Sequence, residues 1–398
     1  MRRLLAFLMV LLAVPAAAQL GLPGVSLPQL PDPVETVDRT LDRPLETVRQ
    51  TAEGLLDLRN ASIERLLRRE RRTIEADANG DPARRGELLL LDPDPAQLAA
   101  AEAAGFTPLG SERMDTLGLT VVRLQVPRGV RLRDAEARLR QAVPGAEVAP
   151  DNLHFQSGAA ATAGAAAAAT RGAPIATTVG MIDGAPGKSV PVAAQRGFAK
   201  GAPTPSHHGS AIASLLSGTG VSRVLVADVY GKDPAGGNAL AIARALDWLA
   251  QNRARVIAIS LVGPRNAVLE KAIAGVRRRG IVVVAAVGND GPAAPPAYPA
   301  SYTGVVAVTA VDGRLRPLIE AGRALHLDYA APGADIRALN RNGKRVAVRG
   351  TSYAAPLVAA RVAAALDGGG NWRATLDREA ENPSPSLGRG LLCRGCGL

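Results

Sequence analysis

The segment "RVIAISLVGPRNAVLEKAIAGVRRRGIVVVAAVGN", residues 255–289, decides the fold. Its two ends, "RVIAISLV" and "IVVVAAVGN", are short apolar runs with no polar alternation, the pattern of strands buried on both faces. Between them, "AVLEKAIAGVRRRG" repeats apolar residues at three- and four-residue steps and stops on Gly280, as a helix does. A strand, a helix and a second strand in this order join parallel neighbours.

The alternation continues on both sides of that segment. Upstream are "IATTVGMID" as strand, "GSAIASLLSG" as helix, "SRVLVADVYG" as strand and "ALAIARALDWLAQN" as helix. Downstream are "YTGVVAVTAV" as strand and "SYAAPLVAARVAAAL" as helix. The expected fold class is α/β, with a doubly wound, mostly parallel sheet and helices on both faces. In such sheets chemistry gathers at the carboxyl ends of the strands.

Composition narrows the function. The chain has 398 residues, 47% of them hydrophobic, enough for a sizeable core, but only 3% aromatic, which argues against base stacking on nucleic acid. The net charge of +11 comes from scattered arginines. The one dense run, "RLLRRERR" from Arg65 to Arg72, lies in a helical pattern with Glu64, Glu70 and Glu75 interspersed. No nucleic-acid partner is expected.

The chain divides along its length. Residues 1–18, with Arg2 and Arg3 before an apolar stretch and then Ala16 to Ala18, read as a signal peptide cleaved before Gln19. Export to the periplasm or the extracellular space follows, and no later apolar run is long enough to predict a transmembrane segment in the mature chain. Residues 19–85 hold a Pro/Gly-rich lead and an amphipathic helical region over 33–78, interrupted near Pro44 and Gly54 and ended by "DANGDP". Residues 86–156 alternate strand and helix as a small α+β unit, and 157–172 are an alanine-rich linker. Residues 173–392 carry the alternating pattern. The tail, 393–398, holds both cysteines, Cys393 and Cys396, for which a local disulfide is the default and an intermolecular one the alternative.

Three residues sit where a doubly wound sheet concentrates chemistry. Asp183 ends "VGMID", His208 precedes the helix "GSAIASLL", and Ser352 precedes "YAAPLVAARV". Alone, Asp183 reads as a turn residue, His208 as a surface residue and Ser352 as a helix cap. Together they supply a nucleophile, a base to take its proton and a carboxylate to orient that base, in the chain order Asp, His, Ser. His207, His154 and His326 have no such constellation and read as structural or exposed.

"GTSYAAP", residues 350–356, resembles the subtilisin-type serine peptidase signature GTSxAxP, and "HGSAIAS" is similar to the block HGTHVAG. The resemblance implies a subtilisin-like peptidase with Asp183, His208 and Ser352 as catalytic residues. "AAVGNDG" is similar to AAAGNxG, which implies Asn289 as oxyanion-hole donor beside the Ser352 backbone N–H. "SLVGP" resembles SLGG, implying that Ser260, Leu261, Val262 and Gly263 pair with an extended substrate. "VADVYG" and "LGRGLL" resemble the strand after the histidine helix and the segment closing the domain. By the same resemblance, 86–156 is an inhibitory prodomain whose end, "VAPDNLHF", occupies the cleft. The implied partners are protein or peptide substrates and the chain's own prodomain.

The chain departs from the family at two places. "DGAPG" stands where Ser or Thr follows the aspartate, and Val262 replaces a glycine, which predicts a narrowed pocket for small or medium side chains. No cofactor is expected; calcium is common in relatives, but no D-x-D-x-D cluster identifies a metal site. Other classes are an impaired, purely binding relative, for which "DGAPG" speaks, and an esterase, whose G-x-S-x-G elbow is absent. An aspartate at position 289 would indicate a sedolisin, and a glycine fingerprint after the first strand a nucleotide-binding domain; neither is present.

Overall fold

The computed structural model describes residues 45–157, 159–160, 173–394 and 396. The expected signal peptide, the irregular lead and most of the alanine-rich linker lie outside the described residues.

The first element, α1 (Leu45–Arg69), is one continuous helix. Gly54 does not interrupt it as expected, because an isolated glycine costs a helix only about 1 kcal/mol and this one has open space around it. The helix stops at Arg69, well before "DANGDP". Two strands, β1 (Ile74–Ala76) and β2 (Pro82–Leu91), form a hairpin around that turn, so the small α+β unit begins near Ile74 rather than at 86.

That unit continues with α2 (Pro95–Ala103), β3 (Thr107–Met114), β4 (Leu119–Gln125), α3 (Leu132–Ala142) and β5 (Glu147–Asn152). Asp94 and Gln97 form a capping box at the start of α2, with Pro95 in its first turn. The strands make one antiparallel sheet in which β2 lies between β4 and β5. In the run "LLLL" of β2, Leu88 and Leu90 pack with Leu132 and Leu139 in the unit's own core, whereas Leu89 and Leu91 belong to the core of the next unit. Strand alternation thus gives both sides of this sheet a buried face.

After β6 (Phe155–Gln156) and β7 (Ala159–Ala160), the large sheet begins with β8 (Val179–Asp183), β9 (Ala194–Gly197), α4 (His207–Gly218) and β10 (Val224–Asp228). It continues with α5 (Ala239–Gln251), β11 (Val256–Ile259), β12 (Leu261–Val262), α6 (Ala267–Arg278), β13 (Val282–Ala286), β14 (Val306–Val311) and β15 (Tyr329–Pro332). The hairpin β16 (Ile336–Leu339) and β17 (Arg345–Arg349) leads to α7 (Thr351–Asp367) and α8 (Trp372–Glu379).

Seven strands in the order β15-β14-β13-β11-β8-β10-β9 are all parallel. Helices α4 and α7 cover one face; α5 and α6 cover the other, where the small unit joins them. The chain winds outward from β8 in one direction to β9 and in the other to β15. Asp183, at the carboxyl end of β8, therefore lies where the strand order reverses. Cys393 and Cys396 form a disulfide with each other. Among the described residues no helix is long and apolar enough to cross a membrane.

Candidate active site

The end of β8 and the starts of α4 and α7 converge on one point. Asp183, His208 and Ser352 are all buried there, 0%, 4% and 0% exposed. The Asp183 Oδ2 lies 2.8 Å from His208 Nδ1, and His208 Nε2 lies 3.0 Å from Ser352 Oγ. The three residues that the sequence separates by up to 169 positions thus form one hydrogen-bonded line.

Local chemistry sets each position. Ser206 caps α4 by accepting from the Gly209 N–H at 2.9 Å, which fixes the turn that carries His208. A side chain at Gly209 would lie 2.0 Å from the Gly184 carbonyl, so α4 touches the end of β8 backbone to backbone. The unusual "DGAPG" fits this contact. A Cβ at Gly184 would meet Ser206 Oγ at 2.5 Å, and the Gly184 N–H donates to Asp183 Oδ1 at 2.7 Å.

Ser352 is not the cap of its helix. Gly350 takes that place with φ +138°, a conformation open to glycine, and Ser352 lies inside the first turn with its hydroxyl toward His208. Pro356 explains a further contact. Lacking an N–H, it cannot bond the carbonyl four residues back, and that carbonyl, of Ser352, accepts instead from the Ser260 hydroxyl at 2.9 Å. Asn289 stands beside the same helix start: its Oδ1 accepts from the Thr351 N–H at 2.9 Å, which turns the amide nitrogen away from that backbone.

The cleft is filled by the chain itself. Leu261 and Val262 pair antiparallel with Gln156 and Phe155, and the Ser157 N–H donates to the Ser260 carbonyl at 3.3 Å. On the other flank, the His154 N–H donates to the Gly237 carbonyl at 2.8 Å, and Tyr230 Oη donates to the His154 carbonyl at 2.9 Å. At the centre, the Ser352 N–H donates to the Ser157 carbonyl at 3.2 Å. Past it, Ala160 and Ala159 pair with Val348 and Arg349. The expected linker is therefore, at its beginning, a docked strand.

Two tail residues were not singled out by sequence reasoning as part of any site. Gln156 Nε2 donates to Asp183 Oδ1 at 2.9 Å. The His154 ring is fully buried against Gly263, where a Cβ would come within 2.6 Å of it, and neither ring nitrogen has a hydrogen-bond partner. Burial pushes its pKa down to about 4, while the backbones of Asn152 and Pro264 pull weakly the other way. Period-two alternation along "DNLHF" was the available signal, but it names no partner. His207 is exposed, and His326 bonds the Val305 carbonyl, away from the cleft.

Polar contacts hold the tail's approach. Asn266 Nδ2 donates to the Pro150 carbonyl at 2.8 Å, and Asp151 Oδ1 accepts from the Leu240 N–H at the start of α5 at 3.0 Å. Arg84 reaches both Asp233, at 2.8 Å, and Asp151, at 3.6 Å.

The chain is similar to known proteins in both sequence and fold. A sequence model of the subtilase family of peptidases matches residues 195–380, a span that holds His208 and Ser352 but not Asp183. Subtilisin Savinase of Lederbergia lenta is 32% identical over 190 residues, 46% of this chain and 70% of that protein. An alkaline protease of Alkalihalobacillus alcalophilus is 32% identical over the same length, there covering 50% of the relative. Among solved structures, fervidolysin from Fervidobacterium pennivorans superposes with a TM-score of 0.66 at 17% identity, covering 79% of this chain and 61% of its own, a likeness of fold.

Proposed function

Because the chain belongs to the subtilase family of serine peptidases, we propose that it is an exported endopeptidase, made as a precursor that cuts itself, with Ser352 as nucleophile. The observation that carries this reading is the line from Asp183 through His208 to Ser352, at 2.8 and 3.0 Å.

In this reading Ser352 Oγ attacks the carbonyl carbon of a peptide bond while His208 Nε2 takes the hydroxyl proton. Asp183 holds Nδ1–H and stabilises the imidazolium that forms. The negative oxygen of the tetrahedral intermediate is met by the Ser352 N–H and the Asn289 amide nitrogen. Collapse of the intermediate breaks the C–N bond, and His208 returns its proton to the departing amine. Water, deprotonated by His208, then attacks the acyl-enzyme and frees Ser352 Oγ, which takes back the proton.

Ser260, Leu261, Val262 and Gly263 would bind substrate as an added strand, as they bind the tail. The Ser157 carbonyl, facing the Ser352 N–H, supports Ser157–Gly158 as the bond cut first, and residues 74–157 as the internal inhibitor. The reading as an impaired binding protein drew on "DGAPG"; Gly184 instead donates to Asp183 and leaves room for Ser206.

Replacement of Ser352 by Ala should abolish both self-cleavage and covalent labelling by a fluorophosphonate. Undiminished labelling of that variant would reject the assignment. N-terminal sequencing of the wild-type products should find Gln19 after export and Gly158 after self-cleavage.

A further inference from the structure

The docked tail continues past the bond proposed to be cut first. Ala159 and Ala160 pair antiparallel with Arg349 and Val348, so β17 is the rail for the chain that follows Gly158. On its other side β17 pairs with β16. Continuing the register along β17 by single steps sets the fourth residue after the cut against Ala347 and the sixth against Arg345. Directly paired residues share a face of the sheet. The second, fourth and sixth positions therefore lie with Arg349, Ala347 and Arg345, and Arg337 of β16, which pairs with Ala347, joins them.

That face is cationic and is neutralised at one end only. From 335 to 349 the hairpin carries Arg337, Arg341, Lys344, Arg345 and Arg349, against a single acid, Asp335. Arg349 is paired: its Nη2 donates to Glu320 Oε2 at 2.9 Å, and that carboxylate is buried. Asp335, at the root of the hairpin, accepts from the Gly313 N–H at 2.9 Å. Arg341, Lys344 and Arg345 are exposed, and neither they nor Arg337 form an ion pair among the described residues. Arg337 is half-buried; its Nη2 donates to the Arg345 carbonyl at 3.3 Å, while its Nε is buried without a hydrogen-bond partner. Ala347, which stands between Arg337 and the rail, is too short to screen it. A guanidinium in that state gains from a carboxylate set beside it. Residues 161–170 of this chain are all alanine, threonine or glycine, so its own linker brings none.

We infer that Arg337 and Arg345 are specificity-determining residues, favouring glutamate or aspartate at the fourth and sixth positions after the scissile bond of a protein substrate. The second position, opposite the neutralised Arg349, does not select charge. The inference rests on the peptidase reading above and on the register of the docked tail. It also gives the linker's composition a use: without carboxylates it has no ionic hold on this rail, and after the cut an acidic substrate displaces it.

The test uses the full chain after self-cleavage and internally quenched peptides that are identical up to the cut, which mass spectrometry locates. They carry Glu or Gln either at the fourth and sixth positions after it or at the second. Glu at the fourth and sixth should raise kcat/KM at least about threefold over Gln at low salt, and less at high salt, whereas Glu at the second should not. Arg345→Gln, at an exposed side chain, should lower that ratio, and Arg337→Gln added to it should bring the ratio to about one. Arg255→Gln, just before β11 at the opposite end of the large sheet, should leave the ratio as it was. Fluorophosphonate labelling counts competent enzyme in each variant. Labelled enzyme with equal rates on the Glu and Gln peptides, a preference for Glu that ignores its position, or a ratio that Arg255→Gln lowers as far as Arg345→Gln does would overturn the inference alone; absence of labelling in the wild type would overturn the peptidase reading and this inference with it.

Discussion

At the scale of single residues, the cleft is held by groups whose protonation opposes one another. Buried His154 stays neutral in the docked tail, with a pKa of about 4 against an ordinary 6.5. A released tail takes up a proton near pH 6.5, which the docked one refuses until about pH 4. Its contribution to docking is therefore full above pH 6.5 and is lost as pH falls through that window, by on the order of 3 kcal/mol. Asp151, pushed up to about 6 by burial, works in the other direction, since its docked form favours the proton. Comparing His154→Phe with the parent isolates the histidine. In the Ser352→Ala chain, the denaturation midpoint should fall more between pH 7 and 4.5 with His154 present than with Phe; parallel curves would rule the effect out. Ser352, Asp183 and His208 were legible in the sequence because each sits in a motif at an element's end. Gln156 and His154 were not, because their meaning lies in where the segment that carries them folds back.

At the scale of elements, one hydroxyl ties the residue between β11 and β12 to the start of α7. Pro356 removes the N–H that would satisfy the Ser352 carbonyl, and Ser260 supplies the replacement. Ser260→Ala should leave that buried carbonyl unpaired, at about 1–3 kcal/mol, and lower kcat, while Ser260→Thr keeps the hydroxyl and most of both. Thermal unfolding and peptide hydrolysis of the two variants give the answer; equal stability in Ser260→Ala and the parent would remove the proline argument. The same scale shows what a sequence makes readable. Strands β8, β10, β11, β13 and β14 stood out because burial on both faces makes them uninterrupted apolar runs. Strand β3, "TPLGSERM", did not, since every residue but Met114 faces solvent or lies at the rim and its pattern is that of a loop. Helix α1 passes through the interruption expected near Gly54, since packing on the large unit overrides the small propensity cost of one glycine.

At the scale of the whole molecule, β2 has one face in each of the two cores. Leu89 and Leu91 share a core with Leu246 and Ile273 of α5 and α6, while Leu88 and Leu90 hold the small unit together. Burying a leucine is worth roughly 1.5–3 kcal/mol, so the small unit does not fall away merely because the chain behind it is cut. The tail that runs from this unit into the cleft is part of the same covalent chain, which sets the reaction order expected of the proposed self-cleavage. In the proposed reading the first cut is unimolecular, its nucleophile facing a carbonyl at an effective concentration that dilution cannot change. Precursor at two concentrations a hundredfold apart, about the range a gel assay spans, should lose its intact band with one half-life; a half-life that lengthens on dilution would mean that one molecule cuts another. Were that bond broken, the small unit would be held by contacts alone, and from then on the fraction of open clefts would depend on how many molecules share the volume.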